Sequence, residues 1–98
     1  MYNLLFVDVG NGKKFPTYIH KINVINGDHV RGQMLKGDMR NQIDALIDML
    51  ISDRPDKIIF DKTGIGIYFY EQFMIIVYLH YKNTLSVDAF GLITYYDT

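Results

Sequence analysis

Two short stretches of this 98-residue chain share one form: LLFVD, residues 4–8, and KIIFD, residues 57–61, each end a largely apolar run on an aspartate. In open α/β sheets the functional crevice lies beyond the carboxyl ends of parallel strands. If these two strands are parallel neighbours, Asp8 and Asp61 emerge side by side. Two carboxylates at close range repel, and a hard divalent cation between them relieves the repulsion. Mg²⁺ and Mn²⁺ favour carboxylate oxygen and water. Such a pair can hold metal ions that activate water and steady the leaving oxygen in phosphodiester cleavage. Thr63, Gly64 and Gly66 follow Asp61, and the glycines let the backbone turn close to the site. A plainer reading stands beside this one. Aspartate suits turns, and Asp61 can simply cap the helix that follows.

The elements that must position these residues can be read from pattern. The apolar run Tyr2–Val9 predicts a strand buried on both faces, punctuated by Gly10, Asn11 and Gly12. Thr17–Ile25, rich in β-branched and aromatic residues, predicts a second strand, and Asn26-Gly27-Asp28 a hairpin turn. His29–Leu35 is the returning strand, with Gly32 marking a bulge or an edge. Asp38 reads as an N-cap to a helix whose apolar stripe is Ile43, Leu46, Ile47 and Leu50, with Asp44 and Asp48 opposite. Pro55 ends that helix near Ser52. Lys57–Phe60 is a further buried strand. Gly64–Gly66 open a second helix to about Leu79, and Leu85–Thr94 is one last strand, weakened by Gly91. Strands followed by alternating helix and strand predict an α/β fold, a mixed sheet with two helices against it.

Composition narrows the class. The length suits one small domain. There is no cysteine, so no disulfide framework or thiolate metal site is possible, which fits a cytoplasmic setting. The N-terminus has no basic flank, and the longest apolar stretch, 73–79, falls far below the ~20 residues that span a bilayer. The formal net charge of −1 does not favour binding by non-specific phosphate contact.

PDKIIFDKTGIGIYFYEQF, residues 55–73, resembles the segment around the second acidic residue of the large terminase subunits of tailed phages, with Asp61, Thr63, Gly64 and Gly66 on the family's pattern. FVDVGNGKKFPTYIHKINVI is similar to that family's opening strand, turn and second strand, with Asp8 and Thr17 in the matching places. MRNQIDALIDMLISDRPD resembles the helix between the acidic strands. The resemblance covers about residues 3–73. It implies a single ribonuclease H-like domain over 1–98, with a β-hairpin and parallel strands. It implies a Mg²⁺- or Mn²⁺-dependent DNA endonuclease of genome packaging in an infected or host bacterial cell. Asp8 and Asp61 would be its catalytic metal ligands, and Lys13, Lys14 and Lys62 would meet DNA phosphate. The departures are equally specific. The family's third acid comes from a later region, so the resemblance implies a domain truncated at its C-terminus. Asp88 and Asp97 do not sit in that acid's context, and no GxxxxGK[ST] loop serves a motor.

Other constellations give alternatives. DVGNGKK, residues 8–14, also resembles the first phosphate loop of actin-like and sugar-kinase-like ATPases, whose other subdomains do not fit in this length. His20, His29 and His80 match no zinc spacing. Asp44 is a minor candidate ligand, and Glu71 reads as solvent-exposed. Tyr68, Phe69, Tyr70, Phe73, Tyr78, Tyr81, Phe90, Tyr95 and Tyr96 crowd the last third, more than so small a domain can hide. They predict a protein partner or homodimer, unless tyrosine rings are buried with their hydroxyls wet. The rival to the nuclease is therefore a catalytically incomplete ribonuclease H-like phage protein that acts as a binding module or inhibitor.

Overall fold

A computed structural model describes residues 3–10 and 16–96. The chain runs β1 (Leu4–Asp8), β2 (Thr17–Ile22), β3 (His29–Leu35), α1 (Met39–Asp53), β4 (Lys57–Phe60), α2 (Ile65–His80), β5 (Leu85–Val87) and β6 (Ile93–Tyr95). The first four strands form one mixed sheet in the order β3-β2-β1-β4. β1–β2 and β2–β3 are antiparallel, while β1–β4 is parallel. This is an α/β fold with a mixed sheet and two helices.

Side-chain alternation sets the layers. Leu5, Val7, Ile19, Leu35, Ile58 and Phe60 point to one face and are buried. The stripe Ile43, Leu46, Ile47 and Leu50 of α1 joins them in a single core with Phe69, Phe73 and Val77 of α2. The rings of Phe60 and Phe73 lie 5.0 Å apart, and Phe60 and Phe69 6.2 Å. Leu4, Phe6 and Ile59 face the other way, and Ile59 is 37% exposed. The first and fourth strands are therefore covered on one face, whereas the first was expected to be covered on both. Both helices lie on the same side, so an unbroken apolar run here does not mean two covering layers.

Local chemistry fixes the ends of α1. The Asp38 carboxylate accepts from Asn41 N–H at 2.8 Å, which satisfies one orphan donor of the first turn. Arg54, in the left-handed region at φ 48°, closes the helix before Pro55. A 2.6 Å ion pair between Lys21 and Asp53 ties the end of α1 to β2. β2 stops at Ile22 instead of Ile25, because Asn23 gathers the turn: its side chain accepts from Ile25 and Asn26 N–H at 3.0 and 3.3 Å. The β2–β3 register shifts between Tyr18 and His20. Gly32 sits in this bulge, where an added Cβ would lie 1.6 Å from the Ile19 carbonyl oxygen.

The expected last strand, Leu85–Thr94, is instead two short strands forming their own antiparallel sheet. Asp88 divides them. Its carboxylate accepts from Phe90 and Leu92 N–H, both at 2.9 Å, and folds the chain back on itself. The returning segment lies along β4, with Ile58 N–H donating to Gly91 O at 2.9 Å and Ile93 N–H to Asp56 O at 3.0 Å. Among the described residues no helix is long and apolar enough to cross a membrane.

Candidate functional site

The parallel register of β1 and β4 pairs Val7 with Phe60. One step on, Asp61 N–H donates to Val7 O at 3.0 Å, which brings Asp61 level with Asp8. Neighbouring strands lie about 4.8 Å apart, so these two residues emerge as direct neighbours. Asp8 shares its face with Leu4 and Phe6, and Asp61 follows β4 directly. Both aspartates thus stand at the carboxyl end of the two parallel strands.

Asp61 is held by its own turn. Its Oδ1 accepts from Thr63 N–H at 3.0 Å and from the Thr63 hydroxyl at 2.6 Å. The hydroxyl bond, then the backbone bond, favour the charged form and hold the carboxyl below its ordinary pKa. Neither bond uses Oδ2. Asp61 does not cap α2 directly, since the N-cap is Gly64 and receives no side-chain bond. Gly66, one residue inside α2, permits a close approach. A Cβ there would stand 1.8 Å from the Asp61 carbonyl oxygen and 3.8 Å from Val9 Cβ. The first turn of α2 therefore rests against the ends of both acid-bearing strands. On the β1 side, the buried Thr17 hydroxyl accepts from Gly10 N–H at 3.1 Å and anchors the chain two residues past Asp8.

The other sequence candidates fall differently. Lys13 and Lys14 lie outside the described residues, as does most of the glycine turn of the phosphate-loop reading. Lys62 is exposed and its ammonium sits 3.9 Å over the Tyr70 ring, drawn toward α2. With Phe60, Tyr70, Phe90 and Gly91 it lines a shallow pocket of about 180 Å³ beside β4. Asp44 is engaged by Arg40 at 3.1 Å and by the Tyr81 hydroxyl at 3.3 Å. Asp88 is spent on its turn, Glu71 is exposed on α2, and Asp97 lies outside the described residues. Among the described residues no three His, Asp or Glu side chains converge as a metal cluster.

The aromatic tail divides. Phe69 and Phe73 are core, and the Tyr95 hydroxyl donates to Pro55 O at 2.6 Å. Tyr68, Tyr78, Phe90 and Tyr96 are exposed, and Ile75 and Leu79 extend the apolar surface along α2.

One pairing escaped the sequence reading. His20 Nδ1 and His29 Nε2 stand 3.0 Å apart on the open face of the sheet, with Phe6 edge-on to His20. The available signal was the Asn26-Gly27 turn, which folds positions 20 and 29 back across each other. The exact diagonal depended on the β2–β3 register. No family model, curated protein or solved structure matches the chain.

Proposed function

We propose that this chain is a divalent-metal-dependent DNA-cleaving module with a ribonuclease H-like sheet, resembling the terminase nuclease. The parallel pairing of β1 and β4 carries the reading, because it sets Asp8 and Asp61 level at the same end of the sheet. The antiparallel meander followed by a helix and a strand parallel to β1 supports the ribonuclease H-like assignment.

The two carboxylates suit a hard ion such as Mg²⁺ or Mn²⁺, which takes one or two acidic ligands and completes its shell with water. Bound there, the ion would supply positive charge at a scissile phosphate and acidify its own water. The chain's residues do the positioning. Thr63 favours the charged form of Asp61 and occupies Oδ1, which leaves Oδ2 for the ion. Thr17 anchors the turn after Asp8. Lys13, Lys14 and Lys62 would meet the flanking phosphates, Lys62 by leaving the Tyr70 ring.

The test is Mn²⁺ titration of thermal stability, followed by a plasmid-nicking assay. Saturable stabilisation and nicking, both lost in Asp61→Asn, are expected. Wild-type protein that shows neither would overturn the proposal.

The exposed α2 surface favours a second reading, a protein-binding module or homodimer without cleavage. Tyr68, Ile75, Tyr78 and Leu79 form an exposed apolar surface that the other described residues do not cover. A concentration-dependent shift in size-exclusion chromatography, with no nicking at any Mn²⁺ level, would favour it.

A further inference from the structure

We infer that His20 and His29 form a chelating site for a borderline divalent transition-metal ion of the Ni²⁺ or Cu²⁺ type, distinct from the carboxylate pair in its donor atoms. The hairpin and its bulge place the two imidazoles diagonally across β2 and β3, with ring nitrogens 3.0 Å apart. Two metal–nitrogen bonds of ~2.05 Å closing on that 3.0 Å separation subtend about 90–95° at the ion. That matches cis positions of a square-planar or octahedral ion. A tetrahedral Zn²⁺ site would need the nitrogens to separate to ~3.3–3.4 Å.

In the metal-free pair one ring nitrogen donates a proton and the other accepts it, so a pair of neutral rings satisfies the contact. Chelation needs both lone pairs. The shared proton moves to the far nitrogen of its own ring, giving His20 Nε2–H and His29 Nδ1–H, and a neutral pair releases no net proton. Each ring must also tip off the nitrogen–nitrogen line, which the broad χ2 of histidine allows at this exposed position. Imidazole suits borderline ions, whereas Asp8 and Asp61 suit hard ones, so the two sites differ in the cation they select.

The experiment uses the whole chain with Ni²⁺ alone and Cu²⁺ alone. Ni²⁺ should raise the melting temperature saturably, and the electron paramagnetic resonance spectrum of the Cu²⁺ adduct should show two imidazole nitrogens. His20→Gln and His29→Gln should each weaken binding at least tenfold, while Asp61→Asn leaves it intact. The inference is overturned by no saturable binding by wild type, by a Cu²⁺ spectrum with fewer than two imidazole nitrogens, or by binding that persists in both histidine variants. Loss of binding in Asp61→Asn would also overturn it, by assigning the ion to the carboxylates.

Discussion

Asp61 donates its backbone N–H to the carbonyl oxygen of Val7 at 3.0 Å, which carries the parallel ladder one step beyond its last strand pair. Through this bond the relative height of Asp8 and Asp61 becomes a property of the sheet. Rigid strands hold ligands more accurately than loops do. The site's behaviour can therefore be predicted from the two strand ends.

Asp8→Asn separates the electrostatic cost of the pair from its use. Without metal it removes one of two like charges on neighbouring strands and should raise the melting temperature by about 1–2 °C. With saturating Mn²⁺ the order should invert, wild type becoming the more stable. Paired thermal melts in chelator and in Mn²⁺ check both halves. An Asp8→Asn protein that responds to Mn²⁺ like wild type would remove Asp8 from the site.

Thr63→Val deletes the 2.6 Å hydroxyl bond to Asp61 and leaves the backbone bond. The Asp61 pKa should rise toward the ordinary carboxylate value, as read by carboxyl carbon chemical shift against pH. The sign of the stability effect follows. A depressed folded pKa contributes stability that is complete above the unfolded value of about 3.9 and is lost as pH falls through the folded pKa. The variant should lose part of this stability at neutral pH and differ least from wild type at the lowest pH.

Gly66→Ala tests the seat of α2. The new Cβ would meet the Asp61 carbonyl at 1.8 Å, a backbone atom that cannot swing aside, so the helix start must move. A loss of ~1–3 kcal/mol is expected, a fall in melting temperature on the order of 10 °C. The Mn²⁺ response should weaken as well, because the displaced carbonyl belongs to Asp61, the ligand proposed above.

Tyr95→Phe removes the donor to Pro55 O and should cost about 1 kcal/mol, or ~4–8 °C. Burial, opposed by the Arg54 charge and aided by Asp56 and Asp53, pushes this phenol up to about 12. Its contribution is therefore complete below the unfolded value near 10 and is lost as pH rises toward 12. Tyrosinate absorbance should show a late phase near pH 12, and that phase should vanish in the variant.

Particular residues show what the sequence could and could not reveal. The α1 stripe Ile43, Leu46, Ile47 and Leu50 and its Asp38 cap are local features, and each was legible; the hairpin was legible too, but its turn begins at Asn23 and not at Asn26. Facing was not. LLFV looks the same whether one or two layers cover it, and only the placement of both helices on one side leaves Phe6 and Ile59 partly open. The division of the last strand depended on Asp88 choosing backbone donors two and four residues ahead, which competes with an extended conformation that the composition equally favours. For the site, the strand-end aspartates were visible as a repeated form. Their adjacency depended on strand order, and the His20–His29 pairing depended on the exact register past the bulge.

The segment that returns along β4 has a consequence for how the molecule behaves in a crowd. A bare sheet edge is a template on which other chains can zip, and aggregation commonly starts there. Here the bonds from Ile58 to Gly91 and from Ile93 to Asp56 occupy donors and acceptors along the outer margin of β4. The opposite margin, β3, is interrupted by the bulge at Gly32. The returning segment thus works as a stopper on the β4 margin of the sheet.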